Sequence, residues 1–221
     1  MLSNLTAKVK YSILFLAALA ISFSLARISG NNMNMLFSFL MGYSTNRHII
    51  SVSSFLILVL MLQLLNSDLF LFHFQNAGML AIRHGSIVPL FSTLFQRVAI
   101  RNFLFVISLI ISGIIVSIQK GVCISSFYTV AVLHGVYAFI LSMCFSLLQF
   151  LLLIHFPTAE VFLWETIAAL SYAFFNSFVE HEPLPNLWLW FGQVTILSLV
   201  TVVMFIISRK HFIKEWGQYA N

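Results

Sequence analysis

Inside the long apolar runs of this chain, the side chains able to do chemistry are His134 (in Ala131-Val132-Leu133-His134-Gly135), Cys144 and Glu165. An ionisable group within a membrane span is by default a functional suspect, because nothing there solvates its charge cheaply. His134 reads as part of an intramembrane polar site, or as a neutral histidine donating one hydrogen bond to a neighbouring helix. Glu165 reads as part of the same site, acting as a proton relay, or as an interfacial carboxylate that caps a helix or pairs with an arginine. Cys144 follows His134 by ten residues and faces another side of the helix, so the two make no nucleophile and base pair. Cys123 and Cys144 are 21 residues apart on what should be one helix. That is roughly 30 Å at 1.5 Å per residue, too far for a disulfide. The chain contains no HExxH pair, GxSxG elbow, paired intramembrane aspartates or phosphate-cradling GKS/T loop. No metal site is expected, and an ATP-driven role would need a second polypeptide.

The elements that must position these residues follow from composition. The 221 residues are 61% hydrophobic and 8% charged, with a mean hydropathy of +1.01. Such a chain has almost no water-facing surface, and we expect an all-α, polytopic membrane protein in a lipid bilayer. Lysine and arginine outnumber acids 11 to 6, but they sit in short loops and tails, which points to topology and not to nucleic acid. We read residues 1–221 as one transmembrane domain with six spans, at about 11–26, 49–67, 102–119, 127–154, 161–178 and 187–208. The first resembles a signal peptide, with Ser24-Leu25-Ala26 as a possible cleavage site, and is taken as an uncleaved span. His155-Phe156-Pro157 should end the fourth span, with Thr158 capping the fifth and Glu160 in its first turn.

Two connectors stand out. Residues 75–101 are amphipathic and basic: Arg83, His84, Arg97 and Arg101 give a positive face, while Ile87, Leu90, Phe91, Leu94, Phe95 and Val98 recur at helical spacing. Pro89 should break or kink this segment, leaving a short helix before and a longer one after. Gly85 and Pro89 bracket a compact knob with Ile87 and Leu90 as apolar contacts. The second connector, Glu180-His181-Glu182-Pro183-Leu184-Pro185-Asn186, cannot continue a helix, and Trp188 and Trp190 beyond it suit an aromatic belt.

Placing both termini in the cytoplasm puts eight basic residues inside (Lys8, Lys10, Arg83, Arg97, Arg101, Arg209, Lys210, Lys214) and three outside (Arg27, Arg47, Lys120). The excess inside supports six spans in a cell membrane, with 75–101 cytoplasmic.

This order of parts resembles the six-helix permease subunits of ABC transporters of the exporter type-2 class, particularly the small ones of Gram-positive bacteriocin and lantibiotic immunity or antimicrobial-peptide systems. It consists of two spans, an amphipathic cytoplasmic connector, three spans, a proline-broken outer segment, and a last span with a basic tail. The resemblance implies a subunit that is not itself an enzyme and exports a hydrophobic or amphipathic substrate, whether peptide, antibiotic or lipid. Its partners would be an ABC-type ATPase, carrying ATP and magnesium, and a second permease chain, identical or paralogous. Carried over, Arg83, His84, Ile87 and Leu90 couple to the ATPase, and Glu180, Glu182, Pro183 and Pro185 form an outer gate. Two alternatives remain: a membrane-embedded peptide-processing enzyme in which His134 and Cys144 or serines converge, and the substrate-binding subunit of a vitamin-uptake transporter, with a closed pocket and no dimer.

Overall fold

The computed structural model describes residues 7–29, 49–76, 79–80, 83, 87–119, 127–176 and 187–216. Among the described residues stand six helices: α1 (Ala7–Ser29), α2 (Ile49–Gln75), α3 (Ile87–Gln119), α4 (Phe127–His155), α5 (Thr158–Asn176) and α6 (Leu187–Trp216). By length and composition, four of them can cross a membrane, through Val52–Gln75, Ile87–Gln119, Ala131–His155 and Trp190–Glu215. The architecture is thus all-α with at least these four membrane-competent helices.

Local chemistry sets the helix ends. Beyond α2, the backbone N–H of Asn76 donates to the Phe72 carbonyl at 3.1 Å and its side-chain amide donates to the same oxygen at 2.8 Å, closing the last turn. Pro89 does not break a helix. It lies in the first turn of α3, where a proline removes only an N–H that has no intrahelical acceptor, so the second half of the expected connector and the third span are one 33-residue helix. The turn between α4 and α5 is tight, and the Val161 N–H donates to the Pro157 carbonyl at 3.1 Å. Thr158 is therefore already the first helical residue and Pro157 the N-cap, so the cap falls one position earlier than expected.

Packing separates centre from periphery. Half of the membrane-length window is buried in α2 and in α4, against 6% in α6. Helices α2, α3 and α4 pack on one another, α1 lies mainly on α3, α5 on α2 and α4, and α6 mainly on α4. The outer faces are apolar, with Leu163 and Phe174 on α5 and Ile196, Leu199 and Ile206 on α6 each 60% exposed or more. Apolar residues pointing outward suit lipid and not water.

The interior holds two apolar clusters. One joins α1 to α5 through Ala18, Phe55, Leu58, Leu62, Phe105, Leu109, Leu141, Phe145 and Ala169. The other, at the far end of the bundle, is aromatic: Phe70 of α2, Phe91 and Phe95 of α3, Phe150 of α4 and Phe212 of α6. Phe91 has ring centroids 5.9 Å from Phe150, 5.6 Å from Phe212 and 5.3 Å from Phe205. These contacts lock the ends of four helices together, each ring pair adding roughly 0.5–1.5 kcal/mol beyond its burial.

A buried polar layer as the candidate functional site

Between the two clusters, α2, α3, α4 and α5 bring together the side chains a membrane interior tolerates least. Gln63, Asn66, Asn102, Ser142, Ser146, Gln149 and Glu165 are all buried, none more than 3% exposed. Polar groups removed from water cost several kcal/mol unless their hydrogen bonds are made, so the layer must be read bond by bond.

Its centre is a fully directed triad. Ser146 Oγ donates to the Ser142 carbonyl at 2.8 Å, so it can only accept from its other neighbours. The amide nitrogens of Asn66 and Asn102 donate to it at 3.0 and 2.9 Å. Asn66 Nδ2 also donates to Asn102 Oδ1 at 3.0 Å. This arrangement fixes which end of Asn66 is nitrogen and leaves its Oδ1 with no donor among the described residues. One turn along α4, Gln149 Nε2 donates to the backbone carbonyl of Gln63 at 3.0 Å, which fixes Gln149 Oε1 as the open end.

Glu165 belongs to the same level. It precedes Tyr172 on α5 by seven residues, as Leu62 follows Phe55 by seven on the antiparallel α2, and the Phe55 and Tyr172 rings stand 5.4 Å apart, which brings Glu165 to the level of Leu62 and Gln63. Its carboxylate is fully buried, and neither oxygen has a hydrogen-bond partner among the described residues. The expected arginine is not beside it. Arg101 pairs instead with Asp68 of α2 at 2.8 Å and donates to the Leu65 carbonyl as well. Both members of that pair are partly exposed at the edge of the layer, at 22% and 29%. Asp68 therefore ties α2 to α3 within the second helix, which runs on to Gln75 past the expected end at Ser67.

His134 is fully buried, one turn before Tyr137 and Ala138 and eight residues before Ser142 on α4, and so lies outside the triad. Cys144 is half-buried and its Sγ donates to Met204 Sδ of α6 at 3.6 Å. Ten residues of helix separate His134 from Cys144, about 15 Å along the axis, and the structure does not bring them together. Among the described residues no three of His, Cys, Asp and Glu converge. Ser108, Ser117, Thr166, Ser171, Thr195 and Thr201 satisfy their hydroxyls on carbonyls four residues back, a local arrangement that marks no site.

Of the expected coupling residues, Arg83 is exposed and His84 lies outside the described residues. Ile87 and Leu90 need correction: they are 4% and 1% exposed, packed inward in the aromatic cluster, because the apolar stripe of this segment faces the chain itself. Among the described residues near this end of α3, Met79, at 71% exposed, and Val88, at 38%, are apolar groups on the surface. The gate residues Glu180, Glu182, Pro183 and Pro185 lie outside the described residues. Trp188 is 88% exposed, as a belt residue would be, while Trp190 turns inward at 9%.

Sequence reasoning named Glu165 but missed Gln63, Asn66, Asn102, Ser146 and Gln149. A signal was present: amide side chains within apolar runs, where each must find a partner on another helix. Comparison of the chain with protein-family models, with curated proteins and with solved structures gives no match.

Proposed function

We propose that this chain is the membrane-spanning permease subunit of an ATP-driven exporter of the ABC type-2 class, with ATP and magnesium bound by a separate ATPase. The observation that carries the reading is the aromatic end of the bundle. At 33 residues α3 is about 50 Å long, roughly 20 Å more than a bilayer core. Its surplus at the N-terminal end is clamped by Phe91 and Phe95 to the ends of α2, α4 and α6. A push on that end is transmitted to four helices as one rigid unit, which is what coupling to ATP hydrolysis requires.

Arg83, Arg97, Arg209, Lys210 and Lys214 are exposed around this end. An excess of basic residues favours the cytoplasmic side, which puts both termini inside the cell membrane and six spans across it. The docking surface is then Met79, Arg83, Val88 and Arg97, with charges steering association and the apolar pair anchoring it. The outer turn with Pro183 and Pro185 is the gate, and a hydrophobic or amphipathic substrate passes between this chain and a second permease chain.

The test is purification of the tagged full chain from its native membrane in mild detergent. An ABC-type ATPase should accompany it, and Met79→Asp with Val88→Asp should release that ATPase while leaving the chain folded and inserted. Recovery without any ATPase, or an intact complex in the double variant, sinks the reading.

A further inference from the structure

The polar layer has acceptors in excess. Gln63 Oε1, Asn66 Oδ1, Gln149 Oε1 and both Glu165 oxygens, five acceptors with two lone pairs each, have no donor among the described residues, against three spare N–H hydrogens, two on Gln63 Nε2 and one on Gln149 Nε2. The count is not a matter of amide orientation, because the serine-centred triad fixes Asn66 and the Gln63 carbonyl fixes Gln149. These groups come from three helices, α2, α4 and α5, and every side chain involved is at most 1% exposed.

Three kinds of guest can answer such a surplus. A water molecule brings two donors but adds acceptor capacity, and a proton on Glu165 supplies one donor. A cation satisfies several oxygens at once and neutralises the carboxylate. Carboxylate and amide carbonyl oxygens form a hard donor set, without the imidazole or thiolate that transition metals favour. The lone carboxylate of the layer's interior carries one negative charge, since Asp68 at its edge is already balanced by Arg101 at 2.8 Å. One negative charge in a low-dielectric site is matched by a monovalent ion, whereas a divalent one would leave a net buried charge.

We propose that Glu165, Gln149, Asn66 and Gln63 form an intramembrane binding site for a monovalent alkali cation. The ion ties α5 to α2 and α4 at the junction of the two apolar clusters. This assignment stands on the buried layer alone and holds whether or not an ATPase is the partner.

The experiment uses the full chain in lipid nanodiscs, with equilibrium binding of radioactive sodium and thermal melting in sodium, potassium or choline chloride at constant ionic strength. Wild type should bind about one sodium ion per chain. Its melting temperature should rise saturably by about 5 °C or more in an alkali salt over choline, because a ligand bound only to the folded state stabilises it. E165Q should bind at least tenfold more weakly and lose the salt-specific rise. E165D keeps the charge but draws it back by one methylene, and it should also bind at least tenfold more weakly if Glu165 is a ligand. The assignment is overturned if wild type binds no sodium and no alkali ion raises its melting temperature over choline. It is overturned equally if stability follows pH alone, which would make Glu165 a proton carrier, or if E165D or E165Q binds as wild type does.

Discussion

Arg101 of α3 reaches Asp68 of α2 across 33 residues of sequence, its Nη1 donating to the carboxylate at 2.8 Å and to the Leu65 carbonyl. The pair stands at the rim of the polar layer, next to Asn102, and so fixes the register of α2 against α3 where the amide triad needs it. Because both groups are partly exposed, solvent screening reduces their coupling. Replacing Arg101 with Ala should cost about 1–2 kcal/mol, between the values typical of surface and buried pairs. The Asp68→Asn, Arg101→Ala double variant should cost less than the sum of the singles. Thermal melts of the four members of the cycle in nanodiscs check this, and additive losses would mean that the two residues act independently.

The inward turn of Ile87 and Leu90 makes a prediction opposite in kind to that for Met79 and Val88. Leu90→Ala should destabilise the chain by roughly 2–5 kcal/mol, and Phe91→Ala by roughly 3–5, through the cavity left among the rings. Leu90→Asp should abolish accumulation in the membrane, whereas Met79→Asp should leave it unchanged. Expression followed by size-exclusion profiles separates the two outcomes.

Ser146 is the common acceptor of Asn66 and Asn102, and its removal strands two buried donors. Ser146→Ala should therefore cost about 1–3 kcal/mol, more than Ser108→Ala, whose hydroxyl bonds only within its own helix. Equal melting temperatures for the two variants would show that the triad contributes nothing to stability.

Gly135 sets how closely α4 approaches α3. A Cβ there would stand 2.8 Å from Ile110 Cδ1, the mobile tip of a side chain. Gly135→Ala should accordingly be nearly neutral, because the cost of displacing that methyl is offset by the about 1 kcal/mol of helix propensity that alanine gains over glycine. Gly135→Leu should destabilise by about 1–3 kcal/mol as an overpacked core does, with partial rescue by Ile110→Ala. Failure of that rescue would place the close contact elsewhere.

The basic residues about the aromatic end should lie on one side of the membrane. In a chain whose Cys123 and Cys144 are replaced by Ser, cysteines introduced at Arg97 and Arg209 should both react with an impermeant maleimide only from the cytoplasmic side, and a cysteine at Trp188 only from outside. Labelling of Arg97 and Arg209 from opposite faces would contradict the shared end.

Some of this was legible in the chain itself. Runs such as Phe55–Leu65 are too apolar for anything but a buried or lipid-facing helix, and Pro157 had to end one helix and allow another. Six helices follow from such local constraints, because helix formation in an apolar medium is imposed by the backbone's own hydrogen bonds. Glu165 was recognisable as costly wherever it lay. The periodic stripe of Ile87, Leu90, Phe91, Leu94, Phe95 and Val98 was also plain, but periodicity gives a face without saying what covers it. Only the packing of α3 against Phe70, Phe150 and Phe212 decided that this face belongs to the chain's interior and not to a partner. The same holds for Gln63, Asn66, Asn102 and Gln149: each reads singly as a stray polar residue, and their meaning depends on distances between helices 36 to 86 positions apart in sequence. Hydrogen-bond accounting across a bundle is a property of helix register, and the tertiary contacts of apolar and aromatic side chains set that register.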